Sequence, residues 1–266
     1  MQGRLSPAPM GRPQAFPWHT WQAEFERAAA CGFDRIEWLV TDEGFDENPL
    51  CTDAGVAAIK ERVAATGVRV TSVCADFCMA RPLVRVTAAE RQSTVERLLR
   101  LVEQLALIDA NVLLIPLLEQ GAMRDRADDA TVASALAPVL VMAKACGLRL
   151  GLECDLAVAD QRALVERSAS GALGVYYDVG NATAAGHDAA DEVRAFGAAL
   201  FGMHIKDRTR GGGSVPLGRG AVNFPAVFAA LAEINYAGTL ILETPVGDDA
   251  VAMAGQHLAF VRDGLR

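Results

Sequence analysis

The sequence lacks most of the marks that assign a chain quickly. None of its six cysteines (Cys31, Cys51, Cys74, Cys78, Cys146, Cys154) forms a CxxC pair, which excludes a cysteine-rich structural zinc site and a thioredoxin-like redox motif. The closest spacing is the CxxxC of Cys74 and Cys78, and without a disulfide framework the thiols read as reduced, in a cytoplasm. No run approaches the roughly 18 consecutive apolar residues of a membrane span. The opening Met1-Gln2-Gly3-Arg4-Leu5-Ser6-Pro7 has no apolar signal-peptide core. No GxGxxG or P-loop follows a predicted strand, so the usual nucleotide-binding signals are missing. Basic residues are the minority, 25 Lys and Arg against 33 Asp and Glu for a formal charge of −8, which argues against the basic face of a nucleic-acid binder. These absences describe a soluble cytoplasmic protein with neither nucleic acid nor membrane as partner.

What is present is a core and an alternation. Just over half of the 266 residues are apolar. Helical periodicity runs from Trp18 to Cys31 and stops at Gly32; Arg35 to Val40 then reads as a strand. Asp53 is placed to cap a helix ending at Thr66, with Gly67 as its stop, before a β-branched strand over Val68 to Cys74. The pattern repeats: helix Thr87–Asp109 and strand Asn111–Pro116, helix Ala127–Cys146 and strand Leu148–Glu153, helix Val158–Ser168 and strand Leu173–Asp178. Helix Asp188–Phe196 and strand Leu200–Lys206, helix Phe224–Ile234 and strand Thr239–Glu243, and a closing helix Asp249–Val261 complete it. Pro138 is expected to kink or restart its helix. With Gln2 to Leu5 as the tail of a short or truncated first strand, eight strands alternate with eight helices. Roughly 250 residues of βα repeat with no break in composition predict an α/β fold, one (β/α)8 barrel domain spanning 1–266; an open doubly wound sheet is the runner-up.

Four successive predicted strands end in a hard ligand: Glu153, Asp178, His204 and Glu243. The intervals of 25 (178 − 153), 26 (204 − 178) and 39 (243 − 204) residues each span about one βα unit. In a parallel barrel these carboxyl ends converge on one mouth. One imidazole and three carboxylates suit one divalent cation, Mn2+, Mg2+ or Co2+, with Zn2+ also accommodated. Such an ion would hold neighbouring oxygens of a sugar-like substrate and stabilise an enediolate. Two opposed carboxylates could then trade a proton on either face of one carbon. The bland alternative for each residue alone is a polar rim position or a buried structural histidine; four in register make the metal site the better reading.

Further polar residues fall near the same mouth. Glu37, near the end of the second predicted strand, and Asp76, after the third, are candidate contacts for substrate hydroxyls. Lys206 either orients a substrate oxygen or pairs with Glu243 or Asp207. Arg219 sits in the Gly-flanked Gly218-Arg219-Gly220, where backbone approaches a ligand easily. Arg4, Arg208 and Arg210 are candidates for an anionic group. Asn181 is expected to cap or support the turn after Asp178, and His19, His187 and His257 read as structural.

Together Gly32-Phe33-Asp34-Arg35-Ile36-Glu37, Leu152-Glu153, Tyr177-Asp178-Val179-Gly180-Asn181, His204-Ile205-Lys206-Asp207, Gly218-Arg219-Gly220 and Leu242-Glu243 resemble the xylose isomerase-like TIM-barrel superfamily. The nearest likeness is to its sugar phosphate isomerase/epimerase branch, which includes ketose 3-epimerases and L-ribulose-5-phosphate 3-epimerases. The resemblance implies that Glu153, Asp178, His204 and Glu243 bind a divalent metal, often Mn2+. It also implies that Glu153 and Glu243 double as the acid/base pair at C3 of a ketose, through a cis-enediolate. Arg219 matches an arginine that contacts substrate in some members. Dimers and tetramers are common there, so a homo-oligomer is implied. One departure follows Glu153, where a second acidic substrate contact is expected and only Asp155 offers itself. An inosose-type dehydratase, a hydroxypyruvate-type isomerase and a non-catalytic sugar-binding barrel are the alternatives. The superfamily's apurinic endonucleases use many more histidines than the four here.

Overall fold

The computed structural model describes residues 5–6 and 15–266. Seven parallel strands form one sheet: β1 (Arg35–Leu39), β2 (Arg69–Cys74), β3 (Val112–Leu117), β4 (Arg149–Cys154), β5 (Leu173–Asp178), β6 (Leu200–Ile205) and β9 (Thr239–Leu242), adjacent in that order. A small antiparallel pair, β7 (Asp207–Arg208) and β8 (Ser214–Val215), sits in the connection between β6 and β9. The seven strands curl into a nearly closed (β/α)8 barrel whose two edges are β1 and β9. The eighth strand expected from Gln2 to Leu5 falls almost wholly outside the described residues. Leu5 itself is buried, and its N–H donates to the Glu24 carboxylate at 2.8 Å.

The helices covering the sheet are α1 (Trp21–Cys31), α2 (Asp53–Thr66), α4 (Ala88–Leu107), α5 (Arg126–Ala145), α6 (Val158–Ser168), α8 (Ala189–Phe196), α9 (Phe224–Glu233) and α10 (Ala250–Gly264). Two short ones, α3 (Phe77–Ala80) and α7 (Val179–Ala184), follow β2 and β5 at the carboxyl end of the barrel. Because helices cover the outer face and side chains fill the inside, β3, β5 and β6 are buried at every position. That explains their unbroken apolar runs.

Local chemistry sets most helix ends. Thr87 and Glu90 form a reciprocal capping box at the start of α4. Asp125, Asp188 and Asp249 accept from backbone N–H groups of the first turns of α5, α8 and α10. Two expectations need correction. Thr52, not Asp53, caps α2: its hydroxyl accepts from Gly55 N at 3.1 Å, and Asp53 is the first helical residue. Helix α5 runs uninterrupted through Pro138, since Leu136 and Val139 beside it are buried and packing carries the helix past the missing N–H. The first helix starts at Trp21, with Trp18 in the preceding turn. No helix among the described residues is long and apolar enough to cross a membrane.

Candidate metal centre and active site

Backbone register builds the site. Asp178, the last residue of β5, pairs with His204 of β6, and Ile205 pairs with Leu242 of β9. The N–H of Glu243, just beyond β9, continues that ladder to Ile205 O at 3.1 Å. Glu153 is the penultimate residue of β4. Four side chains from neighbouring strands therefore meet at one end of the barrel, where parallel α/β folds hold their ligands.

The geometry is tight. His204 Nδ1 lies 3.0 Å from Glu243 Oε2, 3.9 Å from Glu153 Oε2 and 4.0 Å from Asp178 Oδ2. Donor atoms of Glu153, Asp178 and His204 all fall within 4.8 Å of one another. All four residues are buried. Asp178 also caps α7, its Oδ1 accepting from Asn181 N at 2.8 Å; Asn181 thus receives the cap it was expected to provide. The Asn181 side chain points the other way, donating to Glu153 Oε1 at 3.4 Å and accepting from Arg208 Nη1 at 2.9 Å. Gly180 is required here, because a Cβ would fall 2.9 Å from the Lys206 carbonyl oxygen.

Three carboxylates share this space with few cations. Burial raises Glu153 to about 8, with Asp178 and Glu243 adding to the effect and His204 opposing it. Burial likewise raises Asp178 against the pull of Lys206. Burial acts on Glu243 too, but His204 and Lys206 outweigh it and hold that carboxyl well below the usual range. Lys206 Nζ reaches Glu243 Oε1 at 2.8 Å and Asp178 Oδ2 at 3.4 Å. Of the seven buried side-chain atoms among the described residues that lack a hydrogen bond of acceptable geometry, two lie here, Asp178 Oδ2 and His204 Nδ1. Both belong to the converging set. Hard oxygens and one imidazole nitrogen, converging in a negative pocket, fit a divalent cation.

The other expected residues divide. Asp76, half-buried at the end of β2, is raised to about 6 by burial and by the Glu119 and Glu243 carboxylates. Glu37 is not at the mouth: it is 1% exposed, with Oε1 2.7 Å from His204 Nε2. Its Oε2 accepts from Tyr176 Oη at 2.5 Å and Ser72 Oγ at 2.7 Å. Arg219 is exposed on the loop that Asp207 pins by accepting from Gly220 N at 2.8 Å and Val222 N at 3.2 Å. Arg4 lies outside the described residues. Asp155 is exposed and borders a cleft between α7 and the ends of β4 and β5, together with Glu153, Asp178, Asn181 and His187. Tyr176 and Ser72 escaped the sequence reading. The only signal for the tyrosine was indirect, in Gly202 and Gly151, which leave room for its ring.

Comparison with known proteins agrees with this architecture. The family described as xylose isomerase-like TIM barrel matches residues 25–264. The L-ribulose-5-phosphate 3-epimerase UlaE of Salmonella paratyphi C (strain RKS4594) is 28% identical over 248 residues, covering 84% of this chain and 81% of that protein. Among solved structures, D-psicose 3-epimerase from Clostridium cellulolyticum H10 superposes with a TM-score of 0.77 at 18% identity, covering 92% of this chain and 94% of that one. An L-ribulose 3-epimerase gives 0.76 at 24% identity, covering 92% and 89%.

Proposed function

The chain belongs to the xylose isomerase-like TIM-barrel family, and on that footing we propose that it is a divalent-metal-dependent isomerase, a 3-epimerase of a ketose or ketose phosphate. The observation that carries this reading is the convergence of Glu153, Asp178, His204 and Glu243, with Asp178 Oδ2 and His204 Nδ1 buried and without a hydrogen bond of acceptable geometry. The names of the UlaE relative and of the 3-epimerase neighbours point the same way.

In this reading those four residues hold the cation, with Mn2+ as the first choice and Mg2+, Co2+ or Zn2+ as substitutes. Bound there, it supplies Lewis-acid polarisation of adjacent substrate oxygens. Glu153 and Glu243 arrive from β4 and the end of β9, strands that are not neighbours in the sheet. They are set to face a substrate carbon from different sides. One carboxylate removes the C3 proton, giving a cis-enediolate, and the other returns a proton to the opposite face of C3. Lys206 keeps Glu243 ionised and fixes its orientation through the 2.8 Å contact. Asn181 does the orienting for Glu153. Asp76 and Arg219 contact substrate hydroxyl or anionic groups from the rim.

The test is mass spectrometry of Mn2+-loaded protein incubated in D2O with ketoses, ketose phosphates and inososes. A gain of one deuterium, placed by NMR at C3, is the expected result. Deuterium at C1 instead makes the protein an aldose–ketose isomerase, and loss of water makes it a dehydratase.

A further inference from the structure

We infer that Glu37 is a positioning residue for the metal centre, which orients His204 and fixes which ring nitrogen carries the proton. This inference rests on the metal-centre reading above, and it moves Glu37 from the substrate to the support of a ligand. Glu37 stands on β1 and His204 on β6, 167 residues apart, with Oε1 and Nε2 separated by 2.7 Å. Their side chains are 0% and 2% exposed. A carboxylate only accepts hydrogen bonds, so the imidazole nitrogen facing it must be the donor. In the neutral ring that leaves the lone pair on Nδ1. Nδ1 is the atom aimed at Glu153, Asp178 and Glu243. The tautomer that satisfies Glu37 is therefore the one that can ligate a cation at the centre of the carboxylates.

The surroundings of Glu37 serve the same end. Ser72 pairs with Glu37 in the β1–β2 ladder, and its hydroxyl donates to Oε2. Tyr176 donates to the same oxygen and also packs edge-on against His204, with ring centroids 4.9 Å apart at 62°. Both hydroxyls are donors toward an ionised acceptor, so Oε1 remains for the histidine. The tyrosine fits because position 202 is glycine: a Cβ there would lie 2.2 Å from Tyr176 Cε2. Gly202 lies two residues before His204, on the same face of β6. Ligand, orienting carboxylate and supporting tyrosine form one assembly across β1, β2, β5 and β6.

The experiment is calorimetric titration of Mn2+ into the full chain and its variants, with folding checked by circular dichroism. Glu37→Gln keeps the shape, but its amide can turn a donor toward the ring and no longer dictates the tautomer. The expected result is a 10- to 100-fold weaker Mn2+ affinity in a folded protein. Nitrogen-15 spectra of histidine-labelled, Zn2+-loaded protein should show His204 protonated at Nε2 in the parent chain. If Glu37→Gln does not fold, Ser72→Ala and Tyr176→Phe replace it, each removing one donor to Oε2. Both should then weaken Mn2+ several-fold. Unchanged affinity in the folded variants, or a His204 protonated at Nδ1 in the loaded parent chain, overturns the inference. Loss of affinity supports the positioning role whether or not a ketose is turned over. Unchanged affinity overturns it even in an active epimerase.

Discussion

Lys206 Nζ stands 2.8 Å from Glu243 Oε1 and 3.4 Å from Asp178 Oδ2, so one ammonium spans two buried carboxylates delivered by different strands. Burial alone would lower its pKa, and the two carboxylates reverse that and raise it. The lysine thus partly offsets the repulsion that the metal-free site contains. Removing one partner of a buried ion pair leaves the other uncompensated, which costs several kcal/mol. For Lys206→Met we expect the metal-free protein to lose about 2–4 kcal/mol. Saturating Mn2+ should recover much of that loss. Thermal unfolding with and without Mn2+ checks both halves, and a loss indifferent to Mn2+ would place the role of Lys206 outside the donor set.

Glu243 is the second member of the proposed proton-transfer pair, and glutamine preserves its shape. Glu243→Gln should lower turnover of the ketose found in the D2O screen by roughly 10²–10⁴-fold, the usual reach of a positioned general base. The fold should survive, because glutamine keeps an oxygen acceptor in place and Asp178 remains as the charged partner of Lys206. Steady-state kinetics beside a thermal melt decide it; near-normal turnover would sink the two-carboxylate mechanism.

The parts of this molecule that follow a period were readable before any coordinates. Strand Leu173–Asp178 and helix Val158–Ser168 have the boundaries that apolar runs and apolar spacing suggest. The four converging side chains could be placed because each lies at the end of an apolar strand, and parallel strands end together. Glu37 shows where such reading stops. It too stands in an apolar strand, so the same rule sends it to the mouth. Its actual place depends on a pairing with a residue 167 positions away. Strand order and register decide that, through the Glu37–Ser72 rung and the space left by Gly202. Neither leaves a mark in the sequence around Glu37 itself. Asn181 misled for the same reason: its backbone receives the cap from Asp178 while its amide reaches across to Glu153.

Gly202 yields a packing prediction. An alanine Cβ would meet Tyr176 Cε2 at 2.2 Å and Cδ2 at 2.6 Å, and Tyr176 is itself fully buried. Overpacking of this kind costs about 1–3 kcal/mol. Gly202→Ala should therefore lower stability by about that amount. Tyr176→Leu in the same chain should relieve part of it, because the clashing atoms belong to the ring. A double-mutant cycle by chemical denaturation measures the coupling, and strict additivity would show that the ring is not the obstacle.

Asp76 offers a dependence on pH whose sign can be worked out. Its carboxyl titrates near 6 in the folded protein against an ordinary 3.8, through burial and the neighbouring Glu119 and Glu243. The folded chain therefore holds this proton more tightly than the unfolded one. Folding is favoured while Asp76 is protonated, and that advantage disappears as pH rises from about 4 through about 6. Above that window the ionised carboxylate is a standing penalty. The full shift corresponds to about 3 kcal/mol, reduced to about 1–2 kcal/mol because the side chain is only half-buried and solvent screens it. Asp76→Asn has no charge to desolvate at any pH. It should be more stable than the parent chain by about 1–2 kcal/mol at pH 8 and indistinguishable from it near pH 4. Urea unfolding at the two pH values separates charge from shape, since a steric benefit would persist at both. If Asp76 also holds a substrate hydroxyl, the same variant should raise KM while stabilising the fold. The residue would then be kept ionised for its ligand at the expense of stability.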